Sequence, residues 1–224
     1  SLNLAPWLSI IENKPANTVL NFGLHITSTS PIQAYYEVNP SNNLNPDIFA
    51  LKGGNALGLE FFVPFQNYLN NSYTQSTSSF DIVATEDNTI IQITPKKPIQ
   101  GHAPNITFSI VLDEGQTWSG RASSTLASQH PFGSIVSSNK PIAITMSDDS
   151  VAGTPYGGCA DIMGDQIVPV SIVGTEYIAI KGNLNGPDKV FFIPTVPNTT
   201  ISVNGTVVST LTTLSSIYTH TLNA

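Results

Sequence analysis

The sequence predicts an all-β protein made of two antiparallel, β-sandwich-like modules. Three observations predict it: short runs rich in Val, Ile, Thr, Phe and Tyr between turn residues, the absence of a helical period, and a stretch that returns 110 positions later. No dozen residues keep apolar positions at i, i+3, i+4 and i+7 without an intervening Pro or Gly. "FGLHITSTSPIQAY" at 22–35 comes back as "FGSIVSSNKPIAIT" at 132–145. Residues 47–48 return at 161–162, 57–62 at 173–178 and 83–89 at 193–199, so the offset drifts from 110 to 114 to 116 and closes again at 110. Length changes confined to the loops between matched strands are the mark of tandem modules.

Along the chain, strands are expected at 19–26, 32–38, 58–63, 80–84, 89–93, 105–112 and 116–119, each an apolar or β-branched run. They continue at 133–137, 142–146, 177–181, 190–193, 200–203 and 218–222. Turn chemistry separates them at Glu86-Asp87-Asn88, Asp113-Glu114-Gly115, Ser138-Asn139-Lys140-Pro141 and Val203-Asn204-Gly205-Thr206. Alternation puts Ile91 and Ile93 on one face of their strand, and Ile106, Phe108, Ile110 and Leu112 on one face of theirs. Burial of one face with short connections argues for antiparallel sheets packed as sandwiches, with β-propeller-like blades as the competing architecture.

A unit of about 110 residues is the size of one small domain, so two units account for the chain. The expected organisation is a complete module at 59–174 and a second module, 1–58 plus 175–224, completed by the two chain ends. The alternative is a tandem cut into 1–126 and 127–224.

Charged residues are 10% of the chain and the net charge is −7, with no basic cluster beyond Lys96-Lys97. Nucleic acid and anionic membranes are therefore poor partners. No apolar run reaches the roughly 20 residues that span a bilayer, so membrane insertion is not expected. The hydroxyl- and amide-rich composition is common in secreted and cell-surface β proteins. Cys159 is the single cysteine, which excludes an intramolecular disulfide.

Catalytic signatures are missing: there is no G-x-S-x-G elbow, no H-E-x-x-H and no phosphate-binding glycine loop. Glu60 and Glu176 occupy matching places in the two copies, as do Asp47 and Asp161, which reads as scaffold rather than as a catalytic pair. Asp148, Asp149, Asp161 and Asp165 cluster in the loop region between 146 and 166. With nearby carbonyls they supply the hard oxygens calcium takes, so calcium is the one cofactor expected as an option. Tyr35 and Tyr36 are adjacent, so one of them faces outward on a strand, and Trp118 ends a strand beside Gly120. These three are the candidate ligand-stacking rings, with core packing as the alternative.

The ordered segments "FDIVATEDNTIIQITP", "IVLDEGQTW", "GSIVSSNKPIAIT", Asp161 and "DQIVPVSIVGTEYIAI" resemble the repeat of the IgG Fc-binding protein N-terminal domain family. The match is fullest over 59–181. The resemblance implies an extracellular protein of mucus-associated or bacterial-surface type. It carries no mapped Fc contact to any residue here, and paired cysteines often found in that family's loop are reduced to Cys159. The expectation is a secreted or surface-exposed, non-enzymatic binding or adhesion module whose partner is a protein or glycan on an extracellular surface. The alternatives are a self-assembling structural repeat of a filament or stalk, and a carbohydrate-active enzyme.

Overall fold

The computed structural model describes residues 3, 6, 12–38, 47–152, 160–182, 186–214 and 216–223. Among these the protein is all-β, and helical structure is limited to short 3-10 turns such as Gly53–Ala56, Ala127–Gln129 and Val170–Ile172. The strands are β1 (Ala34–Val38), β2 (Asp47–Leu51), β3 (Gly58–Val63), β4 (Asn70–Asn71), β5 (Ser78–Ala84), β6 (Thr89–Thr94) and β7 (Phe108–Leu112). They continue with β8 (Thr117–Arg121), β9 (Ser134–Ala152), β10 (Asp161–Gln166), β11 (Asp188–Phe192), β12 (Thr199–Val203), β13 (Thr206–Leu211) and β14 (Tyr218–Leu222).

Strand β9 organises the body. Its first part, 134–138, lies between β3 and β6, and its later part lies between β5 and β10, with every pairing antiparallel. β7 extends the first layer beyond β6, β8 extends the second beyond β5, and β4 pairs with the end of β9. One strand thus belongs to both layers, a known way of turning a sandwich corner. The turn expected at 138–141 is instead continuous strand. Side chains there satisfy the backbone as the ladder changes partners: Asn139 Oδ1 accepts from the Ile90 N–H at 2.8 Å, and Thr85 Oγ1 donates to the Pro141 carbonyl at 2.6 Å. Pro141 has no N–H to place in a ladder, which makes it tolerable at a changeover.

Period-two alternation fills the space between the layers. Phe61, Val63, Ile91, Ile93 and Val136 from the first layer and Phe80, Ile82, Trp118, Ile142 and Ile144 from the second form one buried cluster. Ile91 and Ile93 face inward as their alternation requires, while Ile90 between them is exposed. Phe108, Ile110 and Leu112 pack against the core, but Ile106 precedes β7 and is exposed, a correction to the expected four-residue face.

The β1–β2 hairpin docks on β10. Phe49 sits where a Cβ on Gly164 would fall, the Ala50 N–H donates to Asp165 Oδ1 at 3.2 Å, and Lys52 Nζ pairs with Asp165 at 2.5 Å. At the C-terminal end β11 pairs with β14 and β12 with β13, each as a two-stranded sheet.

The strands expected at 19–26 and 177–181 are not formed. Residues 17–23 run beside β8, with the Asn17 N–H donating to Ser119 O, the Leu20 N–H to Thr117 O and the Gly23 N–H to Gly115 O at 2.9–3.0 Å. Beyond Gly23 the chain is irregular and exposed to residue 33, as it is again over 175–180, and among the described residues neither stretch forms a backbone–backbone hydrogen bond. The two copies of the repeated sequence therefore do not occupy equivalent places: 134–145 is the central strand, whereas Leu24, Ile26 and Ile32 are exposed.

Candidate functional site

The outer face of the second layer is polar because alternation leaves it the residues the core does not take. Ser79 and Asp81 of β5, Ser119 and Arg121 of β8 and Ser147 of β9 line a cavity of about 150 Å³, roofed by Glu12, Asn13, Lys14 and Ala16. Asp81 Oδ1 accepts from Asn13 Nδ2 at 2.9 Å, and Ser79 Oγ lies 3.0 Å from Ser147 Oγ. Arg121 Nε is buried with no hydrogen-bond partner among the described residues. The cavity thus presents two carboxyls, a guanidinium, an ammonium, three hydroxyls and an amide in a small, half-open recess, which suits the hydroxyls of a polar ligand rather than an apolar one.

Burial pushes the Asp81 carboxyl above its ordinary 3.8, opposed by hydrogen bonds from Ser119, Asn13 and Ser79 and by the Arg121 charge. A carboxyl that binds its proton more tightly in the folded than in the unfolded state stabilises least once it must ionise. Its contribution is lost as pH rises from the ordinary carboxylate range through the raised folded value. Asp81→Asn is therefore expected to flatten the pH dependence of the thermal midpoint above pH 4. The variant should match the parent near pH 3–4 and be at least as stable at pH 7; a variant markedly less stable at pH 7 would contradict this.

Beside this cavity stands the β1–β2 hairpin. Tyr36 stacks on Phe49 with ring centroids 4.9 Å apart and planes at 16°. Burial first, then the charges of Asp81, Asp165 and Asp47, push the Tyr36 phenol well above its usual value, so its hydroxyl stays neutral. The other face of the hairpin carries Tyr35, 68% exposed, and Ile48, 61% exposed, with Glu37 and Ala50. Of the two adjacent tyrosines, Tyr36 is the inward ring and Tyr35 the outward one. Trp118 is 1% exposed and packs against Phe80 and Phe108 at 6.1 and 5.7 Å, so it is core and cannot stack on a ligand.

The four acids expected as calcium ligands are separated in use. Asp148 is buried: its Oδ1 accepts from Asn71 Nδ2 at 2.8 Å and Ser78 Oγ at 2.9 Å, and its Oδ2 accepts from Gln66 Nε2 at 2.9 Å and lies 3.3 Å from His130 Nδ1. His130 is itself fully buried, with Nε2 3.0 Å from Asn71 Oδ1. Asp149 accepts from Ser150 Oγ at 2.9 Å, Asp161 from the Ile162 N–H at 2.9 Å, and Asp165 holds Lys52. Asp47 repeats the Asp161 arrangement, accepting from the Ile48 N–H at 2.7 Å. Among the described residues no three His, Cys, Asp or Glu side chains gather in a metal-holding group; Cys159 and residues 153–158 lie outside them.

Sequence reasoning missed Asp81, Arg121 and His130. Asp81 had a signal, an acid alternating with Phe80 and Ile82 in an otherwise apolar strand; His130 had none, because its partners are 59 to 64 residues away in sequence or in the following strand.

No helix among the described residues is long and apolar enough to cross a membrane. No curated protein and no solved structure matches the chain. The family described as IgGFc binding protein matches residues 48–223, a span that takes in the hairpin strand β2, the whole sandwich and the C-terminal strands. Matched over well more than half its length, the chain belongs to the IgGFc binding protein family.

Proposed function

We propose that the protein is an extracellular, non-enzymatic binding module that holds a protein or glycoprotein partner on the face built from the β1–β2 hairpin and the neighbouring Asp81 cavity. The observation that carries this reading is the outward pair Tyr35 and Ile48 on a hairpin fixed to β10 by Phe49, Lys52 and Asp165. Exposed apolar side chains on a rigid element lose little entropy when covered, and an aromatic ring beside polar groups is the usual centre of a recognition patch. The hydroxyl-lined cavity supplies polar contacts of the kind a glycan offers. Membership of a family named for binding supports recognition over turnover, and the paired use of Asp47 and Asp161 on their own strand backbones supports a scaffold role for the repeated acids.

The test is retention on a panel of glycans, mucins and serum proteins, with immunoglobulin Fc included because the family's name refers to it. A Tyr35→Ala, Ile48→Ser double variant is expected to weaken retention at least tenfold, since truncating a central aromatic anchor costs about 2 kcal/mol or more. Its thermal midpoint should stay within about a degree or two, because both side chains face solvent. Turnover of a glycan substrate that vanished in Glu60→Ala or Asp165→Ala would replace the reading with the enzymatic one.

A further inference from the structure

The C-terminal strands repeat the pairing scheme of the sandwich with its middle missing. In the sandwich β5 pairs with β8 and β6 with β7; at the C-terminal end β11 pairs with β14 and β12 with β13, the same order of outer and inner partners. The turns that lead into β6 and β12 coincide in detail. Asn88 and Asn198 both take positive φ, 55° and 61°, and Thr89 and Thr199 each donate a side-chain hydrogen bond to the carbonyl three residues back, at 2.6 and 2.7 Å. In the sandwich, β9 joins β6 to β5 by pairing with β6 along its first part and β5 along its later part, with β3 on its other side; among the described residues no strand joins β12 to β11.

The sequence counterpart of β9 is 22–35 and that of β3 is 173–178; residues 24–33 within the first, and 175–180 overlapping the second, make no backbone–backbone hydrogen bond among the described residues. Tyr177, Ile178 and Ile180 are 70%, 92% and 89% exposed, an apolar run that no described strand pairs with, and the Gly174 N–H donates to Tyr177 Oη at 2.8 Å. We propose that residues 24–30 of one copy of this chain insert between residues 175–180 and β12 of a second copy, supplying the central strand that the C-terminal unit lacks. The β3–β9 and β6–β9 registers dictate the pairing. Thr27 lies between Glu176 and Ser202, Ile26 between Tyr177 and Val203, and His25 opposite Ile178.

A second copy is favoured over the same chain because the donor stretch is tethered at both ends. Gly23 is tied to Gly115 on the β8 side, and β1 is held through β2 to Asp165 on the β10 side. β8, β5, β9 and β10 lie in sequence between those anchors, roughly 15–20 Å at the usual strand spacing. The donor is therefore held to its own sandwich at both ends. A neighbouring copy can approach it with both anchors intact. Each copy donates at one place and accepts at another, so the contact propagates into an open chain of subunits unless the geometry closes a ring.

Cysteines at directly opposed antiparallel positions lie about 4.5–5.5 Å apart at Cα, within disulfide reach. With Cys159→Ser in every chain, His25→Cys and Ile178→Cys placed in separate chains and mixed under mild oxidation should give a crosslinked heterodimer. The yield should exceed that of the off-register pair Ser30→Cys with Ile178→Cys at least tenfold. Ile178→Asp should raise the concentration at which the protein associates in sedimentation at least tenfold, with its melting midpoint unchanged. No yield above the off-register pair overturns the pairing. Carrying both cysteines in one chain and recovering crosslinked monomer at micromolar concentration overturns the second copy as occupant. Loss of partner retention in the Tyr35 variant leaves the crosslink untouched, so the two readings fail separately.

Discussion

Asp148→Ala is expected to lower the unfolding free energy by about 3–5 kcal/mol, the cost of removing one member of a buried charged network. Four donor groups converge on this carboxylate: Asn71, Ser78, Gln66 and the imidazole of His130. Truncation leaves them facing a cavity with no water-accessible route to replacements, since Asp148, His130 and Ser78 are all fully buried. Each unsatisfied group costs its own desolvation. The network also ties five pieces of chain together, namely the loop around Gln66, β4 through Asn71, β5 through Ser78, the segment at His130 and the later part of β9, so the loss is felt across the fold. A fall in melting temperature of roughly 6–20 °C is expected for a chain of this size, read by circular dichroism or calorimetry. Asp148→Asn keeps the acceptor for Asn71 and Ser78 but turns an amide toward Gln66 and His130, and should fall between the two. A midpoint unchanged in Asp148→Ala would show that the network does not form.

Trp118→Ala is the other large loss, again about 3–5 kcal/mol from lost transfer energy and a large residual cavity. The indole stands where the layers meet, against Phe80 of β5 and Phe108 of β7, with the His102 ring edge-on at 6.3 Å. The space it fills is fixed by its neighbours: Phe80 lies opposite Gly120, and a Cβ there would fall into the Phe80 ring, so the ring cannot slide to close a void. Trp118→Phe should recover more than half of the loss. Near-ultraviolet dichroism would report the same change, and an Ala variant that melted with the parent would deny Trp118 its place in the core.

Much of the sandwich is legible in one dimension because its strands alternate cleanly. "TIIQIT" and "SSFDIVA" carry their burial pattern in their letters, and both form strands close to the expected bounds. What misleads is the assumption that turn-forming residues make turns. Ser138-Asn139-Lys140-Pro141 has turn chemistry, yet Asn139 and Thr85 use that chemistry to carry a strand from one layer to the other. The same error places Asp148 in a loop. Once β9 is seen to run through residue 152, Asp148 falls on the inner side opposite Ser78, and its adjacency to Asp149 in sequence becomes a separation in space. Trp118, a candidate stacking ring because it ends a strand beside Gly120, is core instead, and that glycine is the space Phe80 occupies. Residues 24–26 and 177–180 read as strands and have strand composition; what they lack among the described residues is a neighbour, which no propensity can report.

The nineteen residues of β9 form a single keel, roughly 60 Å long at strand rise, to which strands from both layers are fastened. Neither half of the sandwich can loosen while the other stays shut, because each would have to release the same backbone. Amide protons along that keel should exchange at one common rate, governed by complete unfolding alone. A molecule built on such a frame yields all at once or not at all.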